Sequence, residues 1–280
     1  MSAVMGGAKR NEVKNMKLFQ ANVSRLETDL KKAESEELVK AYIAESSGLI
    51  FNGANILQSF YYVDNFTEKV ILPNCKDFIL DSGAFTFMQN AKRDVNWEEY
   101  VDKYAEFVRK HNIKKYFELD IDSIVGLEEV ERLRARLETN VGWQCIPVWH
   151  LWRGIDYWHM MCRDWGYVAI GGLAGEDKSS KRMKKLHECF PMLINIAHKN
   201  GAKVHGLGYT SLSGIKKYHF DSVDSTSWLS GNRFGVVNRF TGDTIIKIAK
   251  PNNTKVKTSM TAINNFIEWK KFAQYVERCY

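Results

Sequence analysis

Paired cysteines are missing from this chain. Five occur, at 75, 145, 162, 189 and 279, an odd and scattered set with no C-x-x-C pair. That pattern argues against both a disulfide framework and a cysteine-built zinc centre; Cys75 and Cys145 read as small core residues. Long apolar runs are missing too, the longest being of strand length, so no membrane span is expected. The opening MSAVMGGAKRNEVKNMK lacks the apolar middle of a secretory signal, and a cytoplasmic location is expected. No internal repeat, no low-complexity linker and no glycine fingerprint after the first expected strand is found, which favours one domain and disfavours an open dinucleotide-binding sheet.

What is present suffices for a sizeable core: 280 residues, 45% hydrophobic and 12% aromatic. The net charge is +7, and residues 231–280 hold nine Lys/Arg against three Asp/Glu. A basic C-terminal part suits a phosphate backbone, and equally suits a solvated surface.

Short apolar runs alternate with helical patterns. The expected strands are GLIFNGANI (48–56), DFILDSG (77–83), KYFELDID (115–122), WQCIPVWH (143–150), YVAIGGL (167–173), AKVHGLG (202–208) and HFDSVDS (219–225). The clearest helix is 96–110, with Asn96 as cap, Glu99 three residues on and a stripe of Trp97, Tyr100, Val101, Tyr104, Phe107 and Val108. Others are expected at 127–139, 153–165, 177–200, 209–217 and 260–278. Seven strands alternating with helices imply right-handed βαβ units and a parallel sheet, and a (β/α)8 TIM-type barrel fits the count. RFGVVNRF (233–240) or TIIKIAK (244–250) would supply the eighth strand, or form a hairpin beside the barrel. The expected division is a helical segment 1–45 and a barrel 46–280 with a basic C-terminal extension.

The strand ends share a chemistry. In KDFILDSGAFTFM (76–88) an apolar run closes on Asp81, which taken alone reads as a turn residue. Yet the next strands end on Asp120 and Asp122, Trp149 and His150, Gly171 and Gly172, Gly206 and Gly208, and Asp221 and Asp224. In a parallel barrel these ends form the working face. The two-residue period puts Asp120 and Asp122 on one side and lets only one of Asp221 and Asp224 face the mouth. The Gly171–Gly172 pair would let a flat ligand lie against the backbone, or simply turn the chain.

LDSGAFTF, FELD, YVAIGGLAGED, VHGLG and DSVDS, in this order over about residues 78–228, resemble the tRNA-guanine transglycosylase superfamily. The resemblance implies base exchange; no cofactor and no metal are expected in this chain. Asp224 would be the nucleophile at the sugar C1′, Asp81 the general acid/base and Phe85 the aromatic stacked on the base. Asp120 would read the purine edge with Asp122 as rival, and Gly172 and Leu173 would touch the base through backbone atoms. Carboxylates suit these steps: one forms a glycosyl ester, one moves a proton, one accepts bonds from the donor edge of a guanine.

The chain departs from that pattern at several points. The family's C-x-C-x-x-C…H zinc set has no counterpart, since Cys279 is the only cysteine after 189. Gly83-Ala84 stands for a Gly pair, and the usual glutamine of the fourth strand is replaced around PVWH, leaving His150 or Trp149 as base reader, or His150 as a plain rim residue. A zinc-free, compact form resembles the DNA-guanine transglycosylases that bacteria and phages use to place 7-deazaguanines such as 7-cyano-7-deazaguanine in DNA. The implied partners are DNA and the free base, inside the host cytoplasm if a phage encodes the chain. Whether a helper protein opens the duplex stays open. Trp228 and the basic run with Lys178, Lys181, Arg182, Lys184 and Lys185 are the expected nucleic-acid contacts, as is 247–257. The alternatives are a zinc-free tRNA enzyme, a noncatalytic nucleic-acid-binding barrel, and a metal-dependent hydrolase disfavoured by the lack of an acid–histidine cluster at ligand spacing.

Overall fold

Alternation in KLFQA builds the first strand, β1 (Lys17–Ala21). Phe19 and Ala21 join one apolar cluster, Leu18 joins another on the opposite face, and the buried Gln20 amide donates to Phe266 O at 2.8 Å. The computed structural model describes residues 15–23, 26–33, 50–83, 86, 95–172, 181–209, 211–229, 236–248 and 258–280.

Six further strands complete the sheet: β2 (Asn55–Ser59), β3 (Asp77–Asp81), β4 (Val148–Trp149), β5 (Tyr167–Ile170), β6 (Lys203–Gly206) and β7 (Ser222–Ser225). Their order is β3-β2-β1-β7-β6-β5-β4, with every pairing parallel. The sheet curls as a TIM-like half-barrel. Phe19, Leu57, Ile79, Phe117, Val148 and Ala169 fill its inner side. Two further bridges join Leu80 to Tyr116 and Phe117 to Ile146, both parallel.

Between β2 and β3 an unexpected helical run covers 67–74; the other helices follow the expected positions. They are α1 (Leu26–Ala33), α2 (Trp97–Lys110), α3 (Leu127–Val141), α4 (Gly154–Asp164), α5 (Lys181–Lys199), α6 (Leu212–Lys217) and α7 (Thr258–Cys279). The Asn96 side chain accepts from Glu99 N at 3.1 Å, so α2 starts where its cap predicts. On α7, Ala262, Phe266, Trp269, Ala273 and Val276 are buried at three- and four-residue spacing. Among the described residues no helix is long and apolar enough to cross a membrane.

Two expectations need correction, and one alternative left open is decided. The first sheet strand is Lys17–Ala21, inside the segment set apart as 1–45, and it lies between β2 and β7; the run at 48–56 contributes only its last two residues to β2. The sequence signal failed because five residues carry too little periodicity to stand out. Neither C-terminal candidate joins the parallel sheet: Val237–Phe240 (β8) and Ile245–Ile248 (β9) form the antiparallel hairpin that was the other option. The run 115–122 is not one regular strand either, since Asp122–Val125 is already a helical turn.

Candidate active site

Asp81 is both a turn residue and part of a cluster. Its Oδ2 accepts from Gly83 N at 3.0 Å, closing the Asp-Ser-Gly turn at the end of β3. Gly83 has φ 82°, and a Cβ there would meet Tyr61 Cβ at 2.8 Å and Ser59 Oγ at 2.9 Å, so glycine is required. The Tyr100 hydroxyl donates to Ser82 O at 2.6 Å and braces the turn.

Three acids from separate segments act on one another here: Asp81 at the end of β3, Asp224 on β7 and Asp120 after the bridged run at 116–117. Burial pushes the Asp81 carboxyl up to about 7, with the negative charges of Asp224 and Asp120 adding to the rise and the Gly83 amide opposing it. Asp224 is buried on the inner face of β7, and its Oδ1 lies 3.2 Å from His205 Nε2 and accepts from Gly208 N at 2.5 Å. Asp221 belongs to the other face: its Oδ2 lies 2.8 Å from His198 Nε2 and accepts from Val204 N at 2.8 Å. The two-residue period had put the two acids on opposite sides, and the structure places them so.

Beside them lies a second set of polar groups. Asp120 Oδ1 is 2.5 Å from His150 Nε2, and the Trp152 indole lies over the imidazole. Asp122, the rival base reader, is engaged elsewhere: its Oδ2 accepts from Trp152 Nε1 at 2.9 Å and Arg153 Nε at 3.0 Å. Burial raises the Asp122 carboxyl, but the Arg153 charge and these bonds outweigh it and leave the group below the usual range. Gly171 leaves room for His150 rather than for a ligand, because a Cβ there would sit 2.6 Å from His150 Cε1. Gly172 is less crowded, with His150 Nδ1 3.5 Å from the corresponding point.

Glu118 was missed by the sequence reading. It is fully buried and accepts from Arg134 Nη1 at 2.8 Å, Arg153 Nη1 at 2.9 Å and Val148 N at 2.8 Å. The available signals were its parity with Asp120 and an arginine, Arg134, falling inside the buried stripe of α3. The acid–histidine cluster that the sequence did not reveal also exists: Asp120, Asp122 and His150 each offer a ligand atom within 4.8 Å of the others. A dication there would be repelled by the Arg153 guanidinium already bound to Asp122.

Trp228 is a correction. It is 0% exposed, donates from Nε1 to Ala21 O at 2.8 Å and packs edge-on against Phe266; a nucleic acid does not reach it. Its proximity in sequence to Asp224 misled because the turn after β7 drives the indole beneath α7. Trp152, at 55% exposed, is the tryptophan at the site surface. Lys181, Lys184 and Lys185 are exposed at the start of α5, on the side where β5 ends. Phe85, Leu173, Lys178, the Arg182 side chain and most of 247–257 lie outside the described residues.

No family model and no curated protein matches this chain. Among solved structures, the carboxyl transferase domain of Rhizobium etli pyruvate carboxylase, determined with pyruvate, is similar over 95% of this chain at 12% identity, with a TM-score of 0.44. The chain spans about half of that one, 49%.

Proposed function

We propose that this chain is a pentosyltransferase that exchanges guanine in DNA for a 7-deazaguanine base through a covalent aspartyl-glycosyl intermediate. The observation that carries the reading is the meeting of Asp81, Asp120 and Asp224, expressed in the effect of the other two charges on Asp81. Three carboxylates held together at a strand-end face match three separate tasks.

Asp224 Oδ1 is taken by two donors, which leaves Oδ2 to bond to C1′. As that bond forms, the bond from C1′ to the purine nitrogen breaks and its electron pair leaves with the base. Asp81, poised at about 7, gives a proton to the departing purine and takes one from its replacement. The incoming base then attacks C1′ and returns the electron pair to the Asp224 carboxylate. Asp120 Oδ2 accepts from the donor edge of the guanine-like base, with His150 fixing the carboxylate through Oδ1.

The same reading takes the fold as a complete (β/α)8 barrel. Support comes from residues 115–118, which lie between β3 and the approach to β4: Phe117 N donates to Leu80 O at 3.0 Å and Ile146 N to Tyr116 O at 2.7 Å. DNA is preferred to tRNA because the chain has no zinc-type cysteine set after residue 189. The exposed lysines at the start of α5 are suited to phosphates.

The test presents single-stranded DNA, duplex DNA and folded tRNA in parallel with labelled guanine. Label is expected in DNA and lost in Asp224→Ala. Label in tRNA alone would turn the reading to a zinc-free tRNA enzyme. No label in any polymer, or equal label in the variant, removes base exchange by Asp224.

A further inference from the structure

We propose that His205 is a positioning residue that holds the Asp224 carboxylate with Oδ2 turned to the site, and that Ser222 and Tyr167 lock its imidazole for that purpose. The catalytic part of this statement rests on the base-exchange reading of Asp224; the positional part does not.

A file of four polar side chains crosses the inner side of the sheet. The Tyr167 hydroxyl on β5 bonds to Ser222 Oγ on β7. Ser222 Oγ is 2.5 Å from His205 Nδ1 on β6, and His205 Nε2 is 3.2 Å from Asp224 Oδ1. The register produces this alignment. His205 is directly opposite Ser222 across the β6–β7 pair, and Ser222 and Asp224, two apart on one strand, share a face.

The surroundings make the file costly. The His205 ring is fully buried, edge-on to Phe19 and tilted against Phe117, with ring centroids 6.3 and 5.2 Å away. Neighbouring inner positions are Leu57, Ile79, Val148 and Ala169, the bulky or small apolar types that normally fill such an interior. Polar groups placed there must be fully bonded or they destabilise the fold. A packing role alone would be served by another aliphatic side chain.

Donor and acceptor counts give the file a direction. An ionised Asp224 only accepts, so His205 carries its proton on Nε2. Nδ1 of the neutral ring then accepts from the Ser222 hydroxyl, whose oxygen accepts from Tyr167. Each member donates once toward Asp224. With both nitrogens committed, the ring cannot flip, and its N–H and that of Gly208 converge on Oδ1. Hence one defined oxygen faces the sugar carbon, and the other stays bonded to the protein through ester formation and release.

Two measurements test this. In protein labelled with 15N-histidine, without any substrate, His205 is expected as the Nε2–H tautomer, with its Nε2 resonance shifted in Asp224→Asn. The opposite tautomer, or an unmoved resonance, overturns the positional claim whatever reaction the protein catalyses. In the guanine-exchange assay, His205→Leu is expected to lower kcat by at least about tenfold while KM for the base changes less than about twofold. His205→Gln, whose amide N–H can reach Asp224, is expected to recover part of the loss, and Tyr167→Phe to show a smaller one. Wild-type kcat in His205→Leu, or no recovery in a folded His205→Gln, overturns the positioning role. A wild type that exchanges no base but shows the expected tautomer and shift defeats the transglycosylase reading and upholds the geometry of the file.

Discussion

The rings of His150 and Trp152 lie face to face, their centroids 4.2 Å apart and their planes 5° from parallel. Only one is open to solvent: His150 is 6% exposed and Trp152 55%. Asp120 holds the imidazole from one side and Asp122 holds the indole by its N–H, so two acids two residues apart orient two stacked rings. The short turn Asp122–Val125 is what separates their tasks.

Removing the outer ring should uncover the inner one. Trp152→Ala is expected to raise the rate at which diethyl pyrocarbonate modifies His150, read by peptide mass spectrometry, while circular dichroism stays that of the wild type. An unchanged rate would mean that the indole does not cover His150 in solution.

Asp81 predicts a pH dependence of stability. Its folded-state carboxyl titrates at about 7, above the unfolded value of about 3.9, so the folded protein holds a proton that the unfolded chain has released. The resulting stabilisation is fully present below about pH 4 and is lost as pH rises through about 7. Its size is at most about 4 kcal/mol, less what solvent screens at this partly exposed group. Asp81→Asn should abolish this component and make the variant more stable than the wild type at pH 8 in urea unfolding. A variant no more stable at that pH would remove the strained carboxyl.

Because the Asp224 charge adds to the rise at Asp81, Asp224→Asn should lower the Asp81 midpoint. Carboxyl 13C chemical shifts followed against pH read this directly. A midpoint that stays in place would mean that the two groups are farther apart than the site requires.

Glu118 should matter to folding more than to chemistry. Glu118→Ala removes the buried carboxylate that pairs with Arg134 and one of the two that pair with Arg153, and is expected to cost about 3–5 kcal/mol in denaturant unfolding. Losing less than about 1 kcal/mol would mean that water replaces the carboxylate at these arginines.

Trp228→Phe keeps most of the ring volume and loses the bond to Ala21 O, and should cost about 1–2 kcal/mol of stability; on the proposed reading, binding to DNA is then the same as for the wild type. A selective loss of DNA binding in a stably folded variant would place the indole outside the core after all.

Local rules were enough for α2, whose cap and stripe are contained in fifteen residues, and for placing Asp221 and Asp224 on opposite sides, since strand alternation is a property of the backbone. The ends of β3 at Asp81 and of β5 just before Gly171 were legible for the same reason, since each follows its own short apolar run. What only the tertiary structure decided depends on distance across the chain. β1 is recognisable by its place between β2 and β7, not by five residues of pattern. Trp228 is buried because α7, more than thirty residues later, covers it. Asp122 is committed to Arg153, His150 to Asp120 and His205 to Ser222 by contacts spanning 17–31 residues. Periodicity reports which way a side chain points; only packing determines what it meets, and burial next to other charges then sets the proton affinity of Asp81.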